Sequence, residues 1–306
     1  MDGTIRSTLR GMYDMQKLRI QAGNRIIANF RSKLGIEAGE SDIESDKAAQ
    51  DLLAALREEY QLLTDGVSRI TRRINLEDGK YIDTHTEIRL IQQYEKLADA
   101  ERSAEIALED LLEEQPIWTE FLVDVDGCAT KMASVLISEI DIAKAKYPSS
   151  LWKYSGLDVV HGEGRSRKKE HLEEVEYENK NGKMDTRKGL TYNPFLKTKI
   201  RGVLAENFIR QNEQYKQIYD DKKHYYMTRG FCNGTHSEQG KAVWMPSGQK
   251  TKQPQDYCTK GHAHNMAARY MVKMFLKDLY VEWRTLEGLP VSDTYHEAKM
   301  GHTHMA

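Results

Sequence analysis

Apolar residues in the first third of the chain recur at alternating steps of three and four. Leu53, Leu56, Tyr60, Leu63, Val67 and Ile70 fall on one seam of a helix, the spacing that holds side chains on a single face and that coiled coils use. A second series, Leu90, Tyr94, Leu97, Glu101, Ala104, Leu108 and Leu111, keeps the alternation but sets a carboxylate in mid-seam. Single polar seam residues of this kind set register or oligomer state. An earlier helix, residues 4 to 34, carries Ile20, Ile27, Phe30 and Leu34 on one side, and the Gly-, Ser- and acid-rich stretch from Gly35 to Asp46 reads as a loop. Asp78-Gly79 marks a further turn. Residues 1–115 are therefore expected to form a helical, coiled-coil region that self-associates into a homodimer.

Past Pro116 the elements shorten and aromatics and glycines increase. Helices are predicted at 117–123, 129–140, 149–155, 194–228, 263–287 and 292–299. From His171 to Thr191 the chain alternates through Leu172, Val175 and Tyr177 and then meets Asn181-Gly182, the pair that favours a two-residue hairpin turn. The 263–287 helix places Met271, Met274, Phe275, Leu279 and Trp283 on one face, a core pattern rather than a ligand site. The expected fold is mainly α, with long coiled-coil-like helices (1–115). A helical domain follows (116–306), with a helix-hairpin-helix, a small β-hairpin and a zinc loop in an insertion at 230–262.

Composition narrows the class. The 306 residues are 39% hydrophobic and 30% charged, with a mean hydropathy of -0.70, which suits a folded chain and not a disordered one. Apolar runs are only a few residues long, and the N-terminus lacks the basic-then-apolar pattern of a signal peptide. Three cysteines, Cys128, Cys232 and Cys258, are too few for a disulfide framework. A cytoplasmic protein without a membrane partner is expected. The net charge of -2 hides a segregation: residues 1–116 hold 16 Lys+Arg against 23 Asp+Glu, the remainder 29 against 24. A polyanion site belongs in the second part, where Arg165, Arg167, Lys168 and Lys169 cluster, followed by Lys188, Lys197, Lys199 and Arg201, then Lys222 and Lys223.

The segment from Phe121 to Leu136 has the outline of a helix-hairpin-helix centred on Gly127. In such a unit the backbone N–H groups at the start of the second helix face a phosphate and the helix dipole favours its charge. Lys131 adds a direct charge, while Ala129 replaces the second glycine of the usual turn. The ordered series from Gly127 through Ile137-Ser138-Glu139-Ile140-Asp141 and Tyr147-Pro148-Ser149 to Ser155-Gly156-Leu157 resembles the C-terminal domain of DEDD-type, RNA-guided insertion-sequence transposases. The later block from Arg187 to Lys197 resembles that family's basic-Gly-Asn stretch, and the heptad helices its coiled coil. The resemblance covers residues 50 to 210 and is carried by order more than identity.

The resemblance implies DNA binding on a mobile element or phage, or binding to a structured RNA. The family's RuvC-like nuclease domain, with four metal-binding acids, has no counterpart ahead of the helices. It also implies a serine nucleophile between the Gly-Leu close and the basic block, a place that Ser166 alone fills; without a base or a metal site such a serine is a weak nucleophile. Independently, Cys232-x3-His236 and Cys258-x3-His262, with His264 beside them, form two pairs whose donors suit a structural tetrahedral zinc. Three functions are in view: a transposase-related protein that binds duplex or branched DNA without cutting it, a protein-binding regulator such as a counter-defence factor, and a metal-dependent nuclease using Asp124, Asp126, Glu139 or Asp141.

Overall fold

The computed structural model describes residues 3–34, 43, 46–67, 74–77, 79–160, 162–229, 231–232, 235–236 and 260–292. The chain is mainly helical. It divides into two compact units, residues 7–110 and residues 1–6 together with 111–306, a boundary a few residues ahead of the one expected from sequence.

The first unit is built from most of α1 (Gly3–Leu34), from α2 (Lys47–Thr64) and from α3 (His85–Glu113), α3 running on past the boundary at Asp110. Its core joins Ile26, Ile27 and Phe30 of α1, Leu52, Leu53 and Leu56 of α2, and Ile88, Ile91 and Tyr94 of α3. Tyr60 and Leu63 pack on this cluster as the α2 seam predicts. The helix stops at Thr64, so Val67 is exposed beyond its end, and Ile70 lies outside the described residues. The starts of α2 and α3 have a polar reason. Asp46 caps α2 by accepting from Ala49 N and pairs with Arg31. Thr84 and Glu87 form a reciprocal capping box on α3, Glu87 N donating to Thr84 Oγ1 at 3.2 Å and Thr84 N to Glu87 Oε2 at 3.1 Å. The mid-seam Glu101 is buried and accepts from Gln16 Nε2 (2.9 Å) and Arg19 Nε (2.6 Å) of α1. The charge that interrupts the heptads is thus satisfied inside the chain.

In the second unit α4 (Pro116–Glu120) opens with a proline in its first turn and gives way to a 3-10 turn at Leu122–Asp124. α5 (Thr130–Glu139) and α6 (Pro148–Tyr154) follow, then the short antiparallel pair β1 (Val159–Val160) and β2 (Glu163–Gly164). The expected hairpin is β3 (Glu173–Glu178) and β4 (Met184–Gly189), antiparallel with Glu173 opposite Gly189. Its loop differs from the two-residue turn: Asn179 N donates to Lys183 O, leaving Lys180, Asn181 and Gly182 as a three-residue loop with Gly182 at φ 72°.

The long helix predicted at 194–228 is segmented into α7 (Pro194–Lys199), a π-helical turn at Ile200–Leu204, α8 (Ala205–Gln211) and α9 (Glu213–Arg229). Asn212 makes the last break, its Oδ1 accepting from Tyr215 N and its Nδ2 donating to Asp126 O. β5 (Phe231–Cys232) pairs with β6 (Thr235–His236). Finally α10 (Lys260–Leu286) runs through the unit and buries Met271, Phe275, Leu279 and Trp283 as predicted, together with Tyr280. The terminal helix expected at 292–299 falls on residues of which only Ser292 is described. Polar contacts fasten α10 to α6 and its flanks: Trp152 Nε1 donates to Lys273 O (2.9 Å), Tyr280 Oη to Lys146 O (2.7 Å), and Arg284 Nη1 to Ile142 O and Ala145 O. Among the described residues no helix is long and apolar enough to cross a membrane.

Candidate nucleic-acid interface

The segment resembling Ser-Gly-Leu is a helix stop. Leu157 N donates to Trp152 O and Gly156 N to Lys153 O, with Gly156 at φ 63°, which is the Schellman arrangement that a left-handed glycine permits. A side chain on Gly156 would also run into the Tyr192 ring. The chain leaves this stop through Asp158 into β1 and β2 and enters the basic loop.

Within that loop alternate residues take different roles. Arg165 is only 5% exposed. Its guanidinium donates to Asp158 Oδ2 (2.7 Å), Glu173 Oε1 (2.7 Å), Thr191 Oγ1 (2.9 Å) and His171 O (3.2 Å). A guanidinium so engaged braces the loop and has no free face for phosphate, which corrects its reading as a nucleic-acid contact. Arg167 and Lys169 are exposed, and Lys168, also exposed, pairs with Glu163. Between them Ser166 Oγ lies 3.0 Å from His171 Nδ1, while that same nitrogen accepts from Ser166 N at 3.0 Å. Lys168 N donates to Ser166 Oγ at 3.3 Å. His171 is buried. The candidate serine thus has an imidazole nitrogen within hydrogen-bond reach, one whose lone pair already accepts from the serine's own backbone N–H.

Further cations arrive from distant elements. Lys197 of α7 donates through Nζ to Arg165 O and sits 4.9 Å from the centre of the Tyr192 ring. Arg269 of α10 lies against Gly164 of β2. One turn on, Lys273 stands 5.4 Å from the centre of the Trp152 ring. Burial depresses the pKa of the Lys197 ammonium, and Arg269, Arg165 and Arg167 press the same way against Asp158. Burial likewise lowers Arg269, with Arg201 adding to it, and lowers Lys273, with Arg269 adding. These cations feel one another more than they feel carboxylates. Arg201, on the π-helical turn, is occupied by Asn265 and Glu206.

The structure separates the remaining sites from this cluster. Gly127 is at φ 87°, and a side chain there would press on Asn207 and Phe208 of α8 at 3.2 Å. Asn207 Nδ2 donates to Gly127 O at 3.1 Å. The glycine is thus demanded by packing on α8. Ala129 is the N-cap of α5 and offers no side-chain cap, and Lys131 is half-buried in the first turn. At the opposite end of α5, about 15 Å away by helical rise, the buried Glu139 accepts from Asn193 Nδ2 (2.6 Å), the residue that N-caps α7. Lys188 lies exposed on β4, opposite Glu174.

Glu139 accepts from Asn193 and Asp141 pairs with Lys144; among the described residues no group of three or more His, Cys, Asp or Glu is placed to hold a metal. The zinc expectation falls largely outside the described residues: Cys258 is not described, and only the backbones of Cys232 and His236 are, paired in the β5–β6 ladder. His262 and His264 sit in the opening turns of α10, where His264 Nδ1 is 2.8 Å from Tyr219 Oη. Cys128 is buried, its thiol pushed up to about 12 by desolvation.

Arg269 and Lys273 were missed in the sequence because that helix was read by its apolar face. Their i, i+4 spacing, off the Met271–Phe275 stripe, was the available signal. No protein-family model, curated protein or solved structure matches the chain.

Proposed function

We propose that this chain is a transposase-related, nucleic-acid-binding protein of a mobile element or phage that holds duplex or branched DNA on the surface around the 164–171 loop. The observation that carries the reading is the gathering of Arg167, Lys197, Arg269 and Lys273 from three separate parts of the chain, with Asp158 as the carboxylate that acts on the last three. Phosphate contacts of this kind bind without base selectivity and make affinity fall with salt by roughly 0.9 logarithmic units per contact. Gel-shift titration against duplex, single-stranded and four-way-junction DNA, with magnesium present, is expected to give salt-dependent retention without cleavage. Arg167→Glu is expected to weaken every complex and reduce the salt slope by about one. Absence of binding at low salt to any of these, or to structured RNA, removes the reading.

One observation favours a second reading on the same surface. The 3.0 Å approach of Ser166 Oγ to His171 Nδ1 is hydrogen-bond reach for a nucleophile and its base; it suits strand transfer in which Oγ attacks a backbone phosphorus, its proton passes to Nδ1 once the Ser166 N–H releases that nitrogen, and one phosphodiester P–O bond breaks to free a hydroxyl-ended strand. Incubation with nicked or branched DNA followed by a denaturing gel detects such an adduct. It should vanish in Ser166→Ala while binding persists; its absence in the wild-type chain leaves DNA holding as the function.

A further inference from the structure

We infer that Arg269, Lys197 and Lys273 form a discrete seat for a single phosphate group, bedded on Gly164; the identity of its natural ligand as a backbone phosphate rests on the nucleic-acid reading above. Arg269 is half-buried, yet among the described residues its guanidinium has no hydrogen-bond acceptor and no carboxylate at ion-pair distance, Asp158 acting on it only through space. A guanidinium carries five N–H donors in a fixed fork, and leaving them unmet in a partly desolvated place is costly. The contrast with Arg165 is direct, since that arginine has four acceptors around it.

Space for Arg269 is made by Gly164. A methyl group on that residue would overlap the guanidinium itself, and Gly164 has no left-handed backbone that would otherwise require glycine. The two lysines are held in a manner that steadies them without neutralising them. Lys197 rests on Tyr192 and the Arg165 carbonyl, Lys273 on the face of Trp152. The nearby carboxylate, Asp158, already accepts from Arg165 Nε on Oδ2, and its buried Oδ1 has no hydrogen-bond partner among the described residues. Three cations around one engaged carboxylate leave a surplus that a phosphate monoanion or dianion offsets. The arginine fork matches two phosphate oxygens and the lysines act as point charges on the others.

Calorimetric titration of the full chain with inorganic phosphate at low salt tests the seat, alongside thermal melting with and without phosphate and gel shifts with a short duplex. Arg269→Ala is expected to weaken phosphate binding by about tenfold or more and to abolish the phosphate-dependent rise in Tm. In phosphate-free buffer this variant should melt no lower than wild type, because it loses an uncompensated charge. Gly164→Ala keeps every charge and should also lose phosphate. Lys216→Ala, at an exposed position on α9, should not. If Arg269→Ala loses phosphate and duplex together, the seat holds a backbone phosphate. If it loses phosphate and keeps the duplex, the seat stands but serves a free phosphate. If the wild-type chain takes phosphate through Arg269 and binds no nucleic acid, the seat stands and the nucleic-acid reading falls. Wild-type indifference to phosphate, or unchanged affinity in Arg269→Ala, overturns the seat.

Discussion

Arg165 and Arg167 stand two positions apart in a run of basic residues, and the fold puts them in opposite surroundings. One is buried among four acceptors and the other is exposed. Arg165→Ala removes a buried guanidinium that serves four acceptors, two of them part-exposed carboxylates, and at about 1 kcal/mol or more for the hydrogen bonds lost should lower the denaturant midpoint clearly. Arg167→Ala should leave that midpoint unchanged and lower DNA affinity; equal stability of the two variants would contradict the assigned roles. Sequence alone gives no means of telling them apart, because the carboxylates Asp158 and Glu173 that claim Arg165 meet it only after the loop has closed. Gly127 shows the same limit. The sequence marks a turn there, but the neighbour that excludes a side chain, α8, lies about eighty residues away.

Helix limits are decided over a few residues, and here local chemistry is legible. Thr84 and Glu87 stand at the three-residue spacing of a capping box, and each takes the other's backbone N–H. Burial would raise the Glu87 carboxyl, but the Asp83 N–H, the Lys33 ammonium and the Thr84 N–H outweigh it and hold the pKa below the ordinary value. A carboxyl lowered on folding contributes stability above its unfolded pKa and loses it as pH falls through the folded value. Thermal melts of wild type should therefore decline on acidification below the usual glutamate range, and Glu87→Gln should flatten that part of the decline. Thr84→Ala should cost about 1 kcal/mol at neutral pH. An acid profile identical in Glu87→Gln would remove the linkage. The heptads were equally legible as helices, but their partner was not: Glu101 satisfies itself on α1 of the same chain, so a polar seam residue needs no second copy. The break at Asn212 is half local and half tertiary, since its Oδ1 accepts from Tyr215 N while its Nδ2 reaches Asp126 O.

Over the whole molecule charge is divided, the acidic excess lying before residue 116 and the basic excess after it. At low ionic strength, where the screening length grows to about 30 Å, the acidic excess should slow association with a polyanion. Exchanging the exposed Asp51, Glu58 and Asp99 for their amides is expected to raise the association rate at low salt, measured by stopped-flow fluorescence, with the gain disappearing near physiological salt. A gain that persists at high salt would mean that these acids act by contact and not through the field. The sequence by itself determined the mainly helical class, the helix faces and most helix starts, because periodicity, caps and left-handed glycines act within a few residues. The tertiary structure alone decided which cations are spent and which are left over, since Gly164, Lys197, Arg269 and Lys273 become neighbours only when α10 packs beside α6 and the basic loop, and no local pattern encodes a meeting across a hundred residues.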